Sequence, residues 1–247
     1  MRVQEFFDDV SDFFDNMTNT SKVIESRREL LKNLIPVNSK TAADLGCGTG
    51  ADSISLGLNG LKVTGFDISG KMIDKAKLNS KKYSLNLNFF KYAINKIPSS
   101  FNNKFDTAVS LGNSLALVEE KKLGISLSRI LNILKPGGIF VMQILNYTAI
   151  KKAKNRIVNI SQNSQNVYVR FYDLFKMPLN FNILRFSREN PADFDLHSTE
   201  LYPYDKNYLF SELNRTGFKG LKAYSSLSRD NFNKFNSKDL IIIAYKN

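Results

Sequence analysis

The 247-residue chain has one cysteine, Cys47, and one histidine, His197. A lone cysteine cannot close an internal disulfide, and neither residue type is numerous enough to build a cysteine or histidine metal site. No apolar run approaches the roughly 20 residues that cross a bilayer; the longest, such as Ile139 to Leu145 and Leu240 to Tyr245, fall far short. The opening Met-Arg-Val-Gln-Glu, followed by acids, lacks the basic-then-apolar order of a secretion signal. These absences predict a cytoplasmic protein with no metal and no membrane association. Acidic charge is also scarce: 35 basic against 23 acidic side chains give +12, a balance that suits a polyanionic partner. Half of that excess lies between Thr148 and Asn190, where eight basic residues face two acids, Asp173 and Glu189. The segment reads as a surface for RNA or an acidic substrate, or as a solvated face, since its charges are scattered.

Apolar residues make up 43% and aromatics 12%, enough for a sizeable core in one large domain or two small ones. Phe6, Val10, Phe13, Phe14 and Met17 form one helical stripe flanked by acids, and a second helix is expected over 22–34, before Pro36. Strand patterns then alternate with helices. Strands are expected at 41–45, 62–66, 88–92, 105–111 and 139–145, with helices at 51–58, 70–83 and 119–134. Such alternation predicts an α/β, doubly wound, mostly parallel sheet with right-handed crossovers. After Asn146 the pattern becomes three short strands, 168–175, 180–186 and 193–201. A helix at 205–216 and a closing strand pair, 221–226 and 240–245, follow. The expected organisation is an N-terminal helical cap (1–38), a ligand-binding core (39–147), a β-rich antiparallel insertion covering the substrate (148–203) and the rest of the core sheet (204–247).

The most informative stretch is Ala43-Asp-Leu-Gly-Cys-Gly-Thr-Gly50, between a strand and a helix. Its glycines let the backbone turn tightly and approach a ligand, and Asp67, ending the next strand, can accept both hydroxyls of a ribose. A nicotinamide dinucleotide would want G-x-G-x-x-G/A, which Gly46, Gly48 and Ala51 satisfy loosely. Asp44, however, would face a doubly charged pyrophosphate, whereas it suits the cationic sulfonium and amino group of S-adenosylmethionine. A glycine loop without a ligand is the third reading.

The ordered set Asp44-Leu-Gly-Cys-Gly-Thr-Gly50, Gly65-Phe-Asp-Ile-Ser69 with Met72, Phe105-Asp106 and Leu134-Lys-Pro-Gly-Gly138 resembles class I S-adenosylmethionine-dependent methyltransferases. That family implies a seven-stranded, Rossmann-like sheet. Leu111-Gly-Asn-Ser-Leu115, Asn146-Tyr147 and His197-Ser-Thr199 are further similar to its glycine/sarcosine N-methyltransferase-like branch. The resemblance implies that the backbone of Gly46, Gly48 and Gly50 passes under the methionine part, with Asp44 near its amino group. By the same resemblance Asp67 holds the ribose, Ile68 and Met72 pack on adenine, Ala93 and Ile94 reach its edge, and the Leu111 carbonyl meets the methionine amine. Departures are specific. Tyr92 replaces a common acid, Leu145 stands where glycine enzymes carry a carboxylate-binding arginine, and Leu117 replaces a histidine. The last two argue against glycine as acceptor and for a bulkier, less acidic one.

Methyl transfer is an in-line displacement that needs an oriented lone pair and a dry site, with no covalent intermediate. Asn113, Tyr147 and His197 are the candidates for orienting the acceptor; each also has a purely structural reading. Cys47 reads as packing. The expected activity is methylation of a small molecule at an amine nitrogen, the alternative an RNA methyltransferase using the basic insertion. Adenine N6 and cytosine C5 enzymes are disfavoured, because Ser110-Leu-Gly-Asn-Ser114 replaces the Pro-Pro motif of the former and no free nucleophilic cysteine remains for the latter.

Overall fold

A computed structural model describes residues 2–174 and 176–247, so Met1 and Phe175 lie outside the description. The chain opens with helices α1 (Val3–Thr18) and α2 (Thr20–Leu34), separated by Asn19 in the left-handed region at φ 52°. It continues as β1 (Thr41–Leu45), α3 (Ala51–Leu58), β2 (Lys62–Asp67), α4 (Gly70–Lys82), β3 (Asn88–Lys91), β4 (Phe105–Ser110), α5 (Glu120–Ile133) and β5 (Leu134–Leu145). Then come α6 (Tyr147–Ala153), β6 (Ile157–Gln162), β7 (Asn166–Asp173), β8 (Leu179–Ser187), β9 (Phe194–Leu201), α7 (Lys206–Thr216), β10 (Lys219–Tyr224) and β11 (Asp239–Tyr245).

Seven strands form one sheet in the order β10-β11-β5-β4-β1-β2-β3, parallel except where β11 runs antiparallel to both its neighbours. This is the expected doubly wound, Rossmann-like architecture. Its central strands are apolar on both faces because helices cover both. Phe140, Met142 and Ile144 of β5 join a core with Leu123, Leu127 and Ile130 of α5 and Leu209 and Leu213 of α7. The alternate residues Ile139 and Val141 pack with Leu31, Leu34 and Leu56 on the opposite side. The order reverses at β1, which pairs with β2 on one side and β4 on the other. Loops leaving β1 and β4 therefore diverge around a crevice, where open α/β sheets bind ligands.

The insertion is a separate antiparallel sheet, β6-β7-β8-β9. It has four strands where the sequence predicts three. The unforeseen β6 is an edge strand with Ile157 and Ile160 exposed, so its pattern carries no buried alternation. A second difference is α6, whose N-cap Asn146 accepts a hydrogen bond from Ala149 N at 3.4 Å. Tyr147 thus starts a helix, and the boundary expected at 147/148 falls inside it. Helix α1 does not lie on the main sheet. Phe6, Val10 and Met17 pack against Met72 of α4 and against Tyr168 and Ile183 of the four-stranded sheet, so α1 wedges between the two sheets. Among the described residues no helix is long and apolar enough to cross a membrane.

Candidate active site

The loop after β1 is fixed by backbone bonds to the end of β2. Gly46 N and Cys47 N donate to the Phe66 carbonyl at 2.8 and 3.1 Å, and Gly48 N donates to Asp67 Oδ2 at 2.9 Å. Ser69 N donates to the other Asp67 oxygen, also at 2.9 Å. Two amides therefore hold the Asp67 carboxylate at the carboxyl edge of the sheet. Two loop glycines are required for different reasons. At Gly46, φ is 76° and a Cβ would lie 2.7 Å from Ser114 Cβ, so the loops after β1 and β4 touch only without a side chain. At Gly48, φ is 51° and a Cβ would meet nothing within 4 Å, because the backbone there faces open space.

Three carboxylates crowd this loop. Asp44 is buried and accepts from Ser53 Oγ at 2.6 Å; burial first, then the charge of Asp52, pushes its ionisation up to about 8. Burial also raises Asp52, which the Arg27 guanidinium at 3.5 Å pulls back down, and one Asp52 oxygen has no hydrogen-bond partner. Asp67 is raised by burial against the lowering bonds from Ser69 and Gly48. Two buried acids and the half-buried Asp52, with Arg27 beside it, make a poor seat for a pyrophosphate, whereas a cation placed there would favour their ionised forms. Cys47 packs with Ile73, Ala76 and Phe89, and burial holds its thiol protonated.

Above the loop lies a cavity of about 1190 Å³. Its floor includes Gly46 to Thr49, Asp67, Ile68, Ala93, Ile94, Leu111 and Gly112; its cover includes Phe7 and Phe14 of α1 and Arg170 and Thr199 of the four-stranded sheet. The volume exceeds the roughly 300–1,000 Å³ of a typical site for one small molecule.

Residues 42–138 match the family model described as a methyltransferase domain. A putative protein N5-glutamine methyltransferase of Methanocaldococcus jannaschii is 30% identical over 55% of the chain and 68% of that protein. The chain belongs to the class I S-adenosylmethionine-dependent methyltransferases. It is similar as well to a glycine/sarcosine N-methyltransferase of Parasynechococcus marenigrum, at 22% identity over 92% of this chain and 80% of that one. Of two mammalian relatives it also matches, it spans about half the length. The solved CcbJ methyltransferase of Streptomyces caelestis shares the fold, with a TM-score of 0.79, 18% identity and coverage of 98% and 97% of the two chains.

The structure of this methyltransferase sorts the residues expected from sequence. Gly46, Gly48, Asp67, Ile68, Ala93, Ile94 and Leu111 share the cavity wall. Asp44 and Gly50 lie behind it, Asp44 turned toward Ser53 and Gly50 against Ala76. Met72 is a correction: it is fully buried under Phe6 and Val10 of α1, away from the wall, because the wedge helix claims that face of α4. The acceptor-orienting trio is corrected too. Asn113 and Tyr147 face each other, Asn113 Nδ2 to Tyr147 Oη at 2.7 Å, while Asn113 Oδ1 accepts from Leu145 N at 3.0 Å. Neither side chain is on the wall; the pair ties α6 and β5 to the loop that carries Gly112. His197 sits beneath α1, 6.0 Å from the Phe13 ring and 3.9 Å from Asp9, outside the cavity. It pairs with Ile183 in the β8–β9 register, and the helix covers it.

Sequence reasoning missed Arg27, Asp52 and Thr199 as wall residues. Asp52 carried a signal, an acid in the first turn of the helix following the glycine loop. Arg27 and Thr199 reach the site only through the packing of α2 and the insertion.

Proposed function

We propose that this methyltransferase methylates a small molecule at an amine nitrogen inside the covered cavity. The observation that carries the reading is the cover itself: α1 and the four-stranded sheet close over the glycine loop and leave a cavity larger than a typical site for one small molecule. The relative named for glycine and sarcosine N-methylation, matched over most of both chains, supports nitrogen as the nucleophile.

The residues present fit S-adenosylmethionine. The open face of Gly48 admits a ligand against bare backbone, and the paired amides leave Asp67 oriented to accept ribose hydroxyls. Ile68, Ala93 and Ile94 would flank adenine, and the Leu111 carbonyl and Asp52 would meet the amino group. Arg27 would meet the α-carboxylate. When bound, the cofactor would supply a sulfonium methyl for transfer to the amine lone pair, the C–S electron pair returning to sulfur. The protein's part is to hold the lone pair in line and exclude water, which Phe7 and Phe14 do from the cover.

Isothermal titration with S-adenosylhomocysteine tests the cofactor assignment, with one molecule bound per chain expected. Asp67→Ala should weaken binding at least about tenfold, some 1.4 kcal/mol, with folding checked by circular dichroism because Gly48 N and Ser69 N lose their acceptor. Folded wild-type protein that binds no S-adenosylhomocysteine would overturn the assignment. An acceptor panel measures the rest; faster transfer to oxygen or carbon than to any amine would remove nitrogen.

A further inference from the structure

Five basic side chains line the cavity: Arg2, Arg27, Lys96, Lys122 and Arg170. Arg27 is paired with Asp52 and Lys122 with Glu119, while Arg2 and Lys96 are exposed to solvent. Arg170 differs from all four. It is partly buried, its Nε has no hydrogen-bond partner, and among the described residues it makes no ion pair. The register explains its isolation. On the same face of the sheet, Arg185 lies opposite Asp195 and is bound by Asp193, Asp195 and Asn166. Arg170 lies opposite Ile183 on one side and Asn159 on the other. The fold thus neutralises one inward arginine and leaves its neighbour without an anion.

A second orphan shares that surface. The Thr199 hydroxyl of β9 is buried, on the cavity wall, and without a hydrogen-bond partner. Buried polar groups are normally satisfied, and a desolvated charge without a counterion is costly, so two such groups facing one cavity indicate a ligand.

We propose that Arg170, assisted by Thr199, anchors a carboxylate of the methyl acceptor. The inference rests on the small-molecule reading above and names the acceptor's class: an amino carboxylate with its anionic end on the cover and its nitrogen toward the glycine loop. A guanidinium stays protonated at physiological pH and presents a planar fork that matches a carboxylate. One positive charge balances one carboxylate. A phosphate dianion would be left with surplus charge near Glu5, Glu119 and Glu200, which share the wall. Arg170 belongs to the insertion sheet and the glycine loop to the main sheet, so the separation of the two sheets sets the span from carboxylate to nitrogen. The assignment keeps the expectation of an acceptor bulkier than glycine and revises the expectation from Leu145 that it is less acidic.

The test uses the full chain and matched acceptors: ω-amino carboxylates of increasing length, their amides and the corresponding aminophosphonates. Release of S-adenosylhomocysteine gives kcat/KM, and thermal shift of the S-adenosylhomocysteine complex gives binding for compounds that do not turn over. The wild type should prefer carboxylates over amides at least about tenfold, as for a charge-assisted pair worth some 1.4 kcal/mol. Arg170→Gln should abolish the preference, Arg170→Lys should restore part of it, and both should bind S-adenosylhomocysteine as the wild type does. A wild type indifferent to the carboxylate in both assays, an unchanged preference in Arg170→Gln, or a stronger preference for aminophosphonates would overturn the proposal. Loss of S-adenosylhomocysteine binding by the wild type would instead sink the cofactor reading, so the two failures are distinct.

Discussion

At Asp44 the residue type is legible in the sequence and the direction of the side chain is not. The sequence marks an acid before the glycine loop, but not that the side chain turns inward to Ser53 Oγ at 2.6 Å. Its ionisation, pushed up to about 8 by burial and by Asp52, has a consequence for stability. In the unfolded chain the carboxyl loses its proton near pH 4. The native state therefore holds a proton that the unfolded state has released, and stability falls with rising pH across that interval. This contribution is fully present below about pH 4 and lost as pH rises through about 8. The ligand-free protein should melt progressively lower from pH 5.5 to 8.5, and Asp44→Asn should flatten that slope. Melting curves of both proteins across the range decide it; parallel slopes would show that Asp44 is already ionised in the native state. Arg170 and Arg185 make the complementary point. In the sequence both are two of eight scattered basic residues, and only the cross-strand partner, Ile183 or Asp195, tells them apart.

At the scale of elements, α1 is the piece whose pattern was legible and whose docking was not. Its stripe of Phe6, Val10 and Met17 is read directly from spacing, yet spacing does not say that the stripe meets α4 and the insertion rather than the main sheet. The core strands were legible because helices cover both faces, giving continuous apolar runs such as Leu240 to Ala244. Strand β6 and helix α6 were not, the first having no well-buried face and the second only seven residues. The same distinction governs the site. The glycine loop and Asp67 are local motifs, whereas the placement of Met72 and His197 depends on where α1 lands. Phe6 is fully buried, 5.1 Å from the Phe7 ring and 5.9 Å from Phe181, while Phe7 itself lines the cavity. Phe6→Ala should cost about 3–5 kcal/mol if the void does not collapse and should weaken S-adenosylhomocysteine binding through the loosened cover. Urea unfolding and titration of the variant measure the two effects; a loss of stability with unchanged affinity would separate α1 from the cavity. His197→Asn probes the same interface from the sheet side. Removal of a general base costs about 10²–10⁴ in rate, whereas a histidine that only packs beneath α1 should leave kcat nearly unchanged and lower the melting temperature. A collapse of kcat with retained stability would restore its catalytic reading.

For the whole molecule, the question is whether a charge of +12 serves a polyanion. Methylation of RNA by way of the basic insertion would need its cations aligned on one outer surface. The structure takes two of the eight away from such a surface and leaves Lys151, Lys152, Lys154 and Arg156 exposed in one stretch. Arg170 points into the cavity, Arg185 is neutralised by Asp193 and Asp195, Lys152 lies over the Phe235 ring at 4.6 Å and Lys151 lies near Met177. Arg188 donates to the Asn163 carbonyl at 3.3 Å. Single-stranded RNA binding has a log–log salt slope near −0.7 per phosphate contacted, so the exposed stretch alone should give a slope equivalent to no more than about four contacts. Small-molecule acceptors, by contrast, enter a cavity whose anion site is one guanidinium, and their turnover should respond little to salt because a partly buried pair is weakly screened. Filter binding of a mixed RNA pool between 50 and 300 mM salt, beside acceptor turnover over the same range, distinguishes the two. A slope demanding six or more phosphate contacts, with methyl groups incorporated into the RNA, would make the insertion a nucleic-acid surface and the small-molecule reading wrong.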